Sequence, residues 1–262
     1  MDSLVKEALL DIRKGFAMRR VWAALAREDI GDQHRRTTLG PLWLLVNYFA
    51  LAGAFVAIFG RNSSIPDFPA FVSLGLFVWL YLSEVITQGA SLFTRERSFI
   101  EGTTLPLTVY VMRITMQSVI RSGYALVGCL AIMFMVGTPV TPMWLWSALA
   151  LALIVVTTPA IVMLTAIGGA FFPDVNFIVQ NLMRIGMFVT PIFWTHAPGD
   201  SIRAVILNWN PFTYFLEIVR APIVDGRVPL HALAVCGSIA VGLWAVAVLL
   251  LGRYRRQIVF VI

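Results

Sequence analysis

Residues Met143–Phe172 read MWLWSALALALIVVTTPAIVMLTAIGGAFF, thirty positions without one charged side chain. About 20 apolar residues, wound as a helix rising 1.5 Å per residue, span the roughly 30 Å hydrocarbon core of a bilayer. Working outward, five further apolar runs flank this one: Pro41–Phe59, Phe68–Phe93, Leu107–Val136, Asn176–Trp194 and Leu230–Leu251. An open sheet would leave unpaired backbone groups in lipid, so all six runs read as helices. Leu107–Val136 and Met143–Phe172 exceed what a bilayer needs and are expected to tilt or project beyond it. The expected fold is an all-α membrane protein with six transmembrane helices.

Composition agrees. Hydrophobic residues make up 59% of the chain and charged residues 13%, against roughly 25% charged in a soluble domain. The net charge of +6 gathers at the ends of apolar runs. That placement sets membrane orientation and argues against a nucleic-acid face, which needs a solvated basic patch. Cys129 and Cys236 both lie inside apolar runs, where a loop-borne disulfide framework has no place. The first run begins behind a long charged leader, unlike a cleaved signal peptide.

Orientation follows from Lys and Arg. The leader before residue 41 holds eight of them, the loop after the second run adds Arg95 and Arg97, and the C-terminal segment adds Arg253, Arg255 and Arg256. Arg61, Arg203, Arg220 and Arg227 fall on the other side. The asymmetry predicts that both termini are cytoplasmic. In the leader, Val5, Leu9, Ile12 and Phe16 recur at helical spacing, as do Met18, Val21, Trp22 and Leu25. Such an amphipathic helix is expected to lie in the membrane interface; packing on a partner is the alternative reading. Residues 195–229 are too apolar for a solvated loop and too broken for a span. Half-inserted, re-entrant helices are the physical compromise.

Enzyme signatures are missing. His34, His196 and His231 show no metal spacing. Pro198 and Gly199 break any helical pairing of His196 with Asp200. The chain has no Gly-x-Ser-x-Gly elbow and no phosphate-cradling Gly-x-x-x-x-Gly-Lys loop. Any ATP-derived energy must come from another chain. Polar groups do occur inside the spans: Glu84 and Gln88 in the second, Arg113, Gln117 and Arg121 in the third, Gln180, Asn181 and Arg184 in the fifth. Charge in lipid is costly, so these side chains are expected to face protein or a wet cavity. Glu84 lies about 14 Å from the cytoplasmic end of its span, at a depth that predicts an ion pair with Arg184 or Arg113. That pair is read as a structural clasp, with a proton relay as the alternative. Trp43, Trp79, Trp144, Trp146, Trp194 and Trp244 partly fit an interfacial belt.

The segment Arg27-Glu-Asp-Ile-Gly-Asp-Gln-His-Arg-Arg-Thr-Thr-Leu-Gly-Pro-Leu-Trp43 resembles the motif that leads into the first span of the membrane subunits of bacterial polysaccharide ABC exporters. Further landmarks follow in that family's order. They are Phe77-Val78-Trp79, Leu105-Pro106, Phe172-Pro173-Asp174-Val175, Thr190-Pro191-Ile192-Phe193-Trp194, Asn210-Pro211-Phe212 and Glu217-x-x-Arg220. The chain is thus similar to the export permeases for O-antigen, capsule and teichoic acid. It departs in carrying Arg35-Arg36 where the family often has Arg-Tyr.

The resemblance implies a function, partners and a division of the chain. Residues 1–38 would be a cytoplasmic amphipathic interface helix and gate turn, the turn carrying Arg35, Arg36 and Thr38. Residues 39–262 would be the six-span domain. Within it, 94–106 would be a cytoplasmic coupling loop, 195–229 the external re-entrant segment and 252–262 a cytoplasmic tail. Two copies of the chain would form a pathway above two copies of a separate ATPase. ATP and magnesium would reside on that ATPase, with no cofactor in this chain. Arg95, Glu96, Arg97 and Arg27 would meet it. A lipid-linked polysaccharide would cross the bacterial inner membrane along Trp43, Asn47, Tyr48, Asn181, Arg184, Phe188, Phe193 and Trp194. Helix-on-helix packing is the alternative role for these residues. An exporter of a small lipid or drug, a membrane enzyme of lipid-linked sugars and a non-transporting scaffold are the competing functions.

Overall fold

A computed structural model describes residues 2–35, 37–63, 65–195 and 201–261. Among them the ordered elements are helical: α1 (Asp2–Ala17), α2 (Arg19–His34), α3 (Leu42–Phe59), α4 (Phe68–Ala90), α5 (Leu92–Arg95), α6 (Arg97–Gly102), α7 (Leu107–Val136), α8 (Trp144–Phe171), α9 (Asp174–Val189), α10 (Ser201–Trp209), α11 (Pro211–Val224) and α12 (Leu230–Val261). A single 3-10 turn, Gly60–Asn62, follows α3. Five of the helices are long and apolar enough to cross a membrane: α3, α4, α7, α8 and α12.

The run expected at Asn176–Trp194 turns out differently. α9 stops at Val189 after 16 residues, about 24 Å at 1.5 Å per residue, short of the hydrocarbon thickness. Pro191 is the cause. A residue before proline is pushed out of the helical region, and Thr190 is extended, with φ −81° and ψ 140°. The last run errs the other way. α12 continues to Val261, so residues 252–261 prolong the helix. The 94–106 segment is also partly helical, holding the end of α5 and all of α6.

Burial ranks the helices. α4 is the core element, packed against α7, α8, α9, α11 and α3. Tyr81 in α4 shares a 2.7 Å hydrogen bond with Thr158 of α8, and the Tyr48 hydroxyl donates to the Ser73 carbonyl at 2.7 Å. These buried polar groups are paired, as a low-dielectric interior requires. α3 is mostly exposed, with Leu42, Trp43, Val46 and Ile58 turned outward. A strongly apolar helix with so little of its surface covered is left facing lipid or another chain. The two cysteines are buried free thiols.

The leader is two helices, broken at Met18. α1 packs on α12 and α7, and α2 packs along α7. One residue explains the docking. Asp11 is 2% exposed. Its carboxylate accepts from the backbone N–H of Thr108 at 3.1 Å and from the Thr108 hydroxyl at 2.7 Å. Thr108 lies in the first turn of α7, whose preceding residue, Pro106, makes no side-chain cap. Asp11 therefore caps α7 from another helix and meets the positive end of its dipole. Arg255 of α12 approaches the second carboxylate oxygen at 3.4 Å, and Arg256 pairs with Glu7 at 2.8 Å. Asp11→Ala should cost about 1–2 kcal/mol, the usual loss of a cap, measured by thermal unfolding in mild detergent. An unchanged melting profile would show that the cap carries no stability.

Candidate translocation groove and its polar supports

Leu80, Ser83 and Thr87 recur at three- and four-residue spacing and so share one face of α4. Two cavities meet on that face. One, about 410 Å³, lies toward α3 and is lined there by Leu44, Asn47, Tyr48 and Leu51. The other, about 670 Å³, lies toward α9 and is lined there by Asn176, Gln180, Arg184 and Phe188. α3 and α9 therefore flank a common strip of α4. The strip mixes amides, hydroxyls, aromatic rings, the Arg184 guanidinium and the paired Glu84 and Arg121. Such a surface can hydrogen-bond hydroxyls and stack on CH faces at the same time.

An aromatic cluster closes one end. The Phe193 ring stacks on Phe55 at 5.1 Å and on Phe59 at 5.2 Å, and meets Phe188 edge-on at 6.1 Å. Trp194 donates its indole N–H to the Phe188 carbonyl at 3.1 Å. Trp79 of α4 packs under α9, where a Cβ on Gly186 would lie 2.7 Å from its ring. Only glycine permits that approach.

The residues expected to line a pathway divide. Asn47, Arg184 and Phe188 line the groove. Trp43 is 41% exposed at the start of α3. Phe193 and Trp194 join the closing cluster. Tyr48 is 2% exposed, its hydroxyl tied to Ser73, so it forms a wall. Asn181 is exposed beside the groove, and Gln180, one position earlier, takes the place expected of it.

The expected Glu84 pair needs correction. Glu84 bonds Arg121 at 2.6 Å, with neither Arg113 nor Arg184 as its partner. Ser118 lies 3.4 Å from the same oxygen. Arg121 sits two turns beyond Arg113 on α7, at the level where α4 carries Glu84. Its other terminal nitrogen donates to Gln33 of α2 at 2.7 Å. Arg113 instead forks onto Asp29 of α2, both bonds 2.6 Å, and donates to Glu96 at 2.9 Å. Gln117 also donates to Asp29. The α2–α7 seam is thus a ladder, with Asp29 and Gln33 facing Arg113, Gln117 and Arg121. Asp29, Gln33 and Asn176 were not singled out from sequence. For Asp29 and Gln33 the signal was the four-residue repeat on each side of the seam; for Asn176 it was the four-residue spacing to Gln180, whose side-chain amide donates to it at 3.1 Å.

Of the residues expected to meet an ATPase, Arg95 and Glu96 sit at the foot of this ladder. Arg95 donates to Gln88 at 2.7 Å and lies 3.3 Å from Glu96. Glu96 joins α5 and α6 and is bonded back to Arg113. Arg97 pairs with Glu101 within α6 at 2.8 Å. Arg27 is exposed on α2. In the turn that follows, Arg35 lies 3.9 Å from Asp32 and is exposed, as is Thr38. Gly40 takes the left-handed φ of 54° that lets the chain turn into α3. Arg36, His196 and Asp200 lie outside the described residues.

The chain is 24% identical over 246 residues to the O-antigen export system permease protein RfbA of Myxococcus xanthus, covering 89% of this chain and 92% of that protein. It is 22% identical to the RfbA permease of Klebsiella pneumoniae, over 77% of this chain and 79% of that one. It is also 22% identical to the polysialic acid transport protein KpsM of Escherichia coli, over 82% and 86%. The family model for the ABC-2 type transporter matches residues 19–224, from the start of α2 to the end of α11. The chain belongs to the ABC-2 type transporter membrane family.

Proposed function

We propose that this chain is the membrane subunit of an ATP-driven exporter that moves a lipid-linked polysaccharide across the bacterial inner membrane. It works as a homodimer above two copies of a separate ATPase, which bring ATP and magnesium. Both termini are cytoplasmic. α9 and the Thr190–Trp194 turn together complete a sixth crossing, and α10 and α11 lie half-inserted at the outer face. The ATPase docks at α6, Arg95, Glu96 and the exposed edge of α2 around Arg27.

The observation that carries this reading is the strip between α3 and α9. Its amides and guanidinium suit sugar hydroxyls, its rings suit pyranose faces, and its uncovered α3 wall has room for a second copy. Stacking also tolerates many sugars, as a sliding polymer demands. The relatives' names, O-antigen export and polysialic acid transport, point to the same class of cargo.

Alanine at Asn47, Gln180 and Phe188 tests it. These side chains are at least partly exposed in the described protomer, so folding should survive. Glycan export in cells should fall about ten-fold or more, the size of one lost stacking or hydrogen-bond contact at a rate-setting step. ATP hydrolysis by the purified complex should persist. Wild-type export by all three variants would remove the groove from the pathway.

A further inference from the structure

A third cavity, about 460 Å³, lies beyond the aromatic cluster that closes the groove, between α11, the turn after α9 and the approach to α4. Trp194, Thr213, Glu217, Arg220, Asp225 and Arg227 are among its walls. We infer that this cavity is a neutral-sugar subsite at the outer mouth, holding a single pyranose of the emerging chain. The inference rests on the proposed export function and adds to it a binding site outside the pathway groove.

Charge balance argues for a neutral ligand. The Arg227 guanidinium is held by Glu217 at 3.0 Å and Asp225 at 3.3 Å. Arg220 is occupied by the carbonyls of Pro191 at 2.9 Å and Ile192 at 3.3 Å, and lies 3.6 Å from the Phe71 ring centroid. Two cations thus face two carboxylates. An anionic sugar would meet Glu217 and Asp225 without a free cation to receive it. Each carboxylate still has lone pairs that Arg227 does not use, and these accept from sugar hydroxyls. Trp194 supplies an aromatic face beside them.

Two buried polar atoms on this wall find no partner among the described residues: Thr213 Oγ1 and Arg220 Nε. Arg220 is 8% exposed. Buried polar groups are rarely left unpaired in a finished core. Here they mark a surface that a polar ligand completes. Glu217 and Asp225 are partly exposed, so altering them should not unfold the chain.

The test uses the full chain with its ATPase in nanodiscs. The probe is the oligosaccharide released by mild acid from the polysaccharide the same strain exports, with glucuronate as an anionic comparison. Binding is followed by saturation-transfer NMR and export is followed in cells. Wild type should bind the oligosaccharide and not glucuronate. The Glu217→Gln, Asp225→Asn double variant should bind about ten-fold more weakly, equivalent to one charge-assisted hydrogen bond, and Asp225→Asn alone should fall between. Trp194→Leu should weaken binding independently of charge. Unaltered binding by all three variants, with wild-type export intact, overturns the subsite and leaves the export function standing. Preference for glucuronate overturns the neutral assignment. Failure of wild type both to export glycan and to bind the oligosaccharide overturns the export function, and the subsite with it.

Discussion

Arg113→Ala is expected to destabilise the folded chain by about 3 kcal/mol, the lower part of the range for breaking a buried ion pair from one side. Two carboxylates lose their partner at once. Asp29 loses a two-pronged clamp and Glu96 a 2.9 Å bond, while both stay largely covered. Arg113→Lys should recover only part of this, because an ammonium cannot form the planar fork. Removing the acid and the base together should cost less than the sum of the single changes. A coupling of about 1–3 kcal/mol in an Asp29→Asn, Arg113→Gln cycle would be ordinary for such contact. Because Arg113 ties α2 to the α5–α6 corner, the variant should also hydrolyse ATP with reduced export. Additive single effects, or export that follows protein abundance alone, would reduce the ladder to a passive clasp.

The second large effect is expected at Arg220. Arg220→Leu preserves bulk and removes a buried cation, a change that is often harmless when both members of an ion pair are replaced. Here the partners are the backbone carbonyls of Pro191 and Ile192, which no substitution removes. Each stranded carbonyl costs about 1–3 kcal/mol. Relief of the guanidinium's desolvation offsets part of this, so a net loss of about 2–4 kcal/mol is expected. The turn Thr190–Trp194 should loosen first, freeing Phe193 from Phe55 and Phe59. Hydrogen exchange should therefore quicken at Ile192 and Phe193 before the spans respond. Uniform exchange across the chain would contradict a local anchoring role.

How much of this was legible in the sequence differs by element. α8 was readable because its uninterrupted apolar length has one physical meaning in lipid, and α4 and α7 because their few charged residues (Glu84, Arg113 and Arg121) leave the apolar length long enough to span. α9 was overestimated. Thr190-Pro191 lies inside an apolar run, and hydropathy does not register that proline ends a helix. α12 was underestimated for the opposite reason. Arg253, Arg255 and Arg256 end the apolar run without ending the helix, since α1 supplies Asp11 and Glu7 to receive two of them.

The polar site was half legible. Depth along a span correctly marked Glu84 as a residue needing a partner. Depth cannot choose among arginines spaced two turns apart on one helix, and the choice fell to α2. Asp29 claims Arg113 and leaves Arg121 for Glu84. A leader helix read as lying on the membrane gave no reason to expect it against α7. In the groove, Gln180 and Asn181 are adjacent in sequence, and only the rotation of α9 against α4 decides which faces inward.

The most direct test is transport by the purified chain with its ATPase in proteoliposomes, supplied with the strain's own lipid-linked polysaccharide. The account predicts ATP-dependent appearance of that glycan on the far side, accessible to an impermeant glycosidase, and its loss when α9 carries Phe188→Ala. ATP-driven movement of a fluorescent short-chain phospholipid while the lipid-linked glycan stays behind would contradict the account.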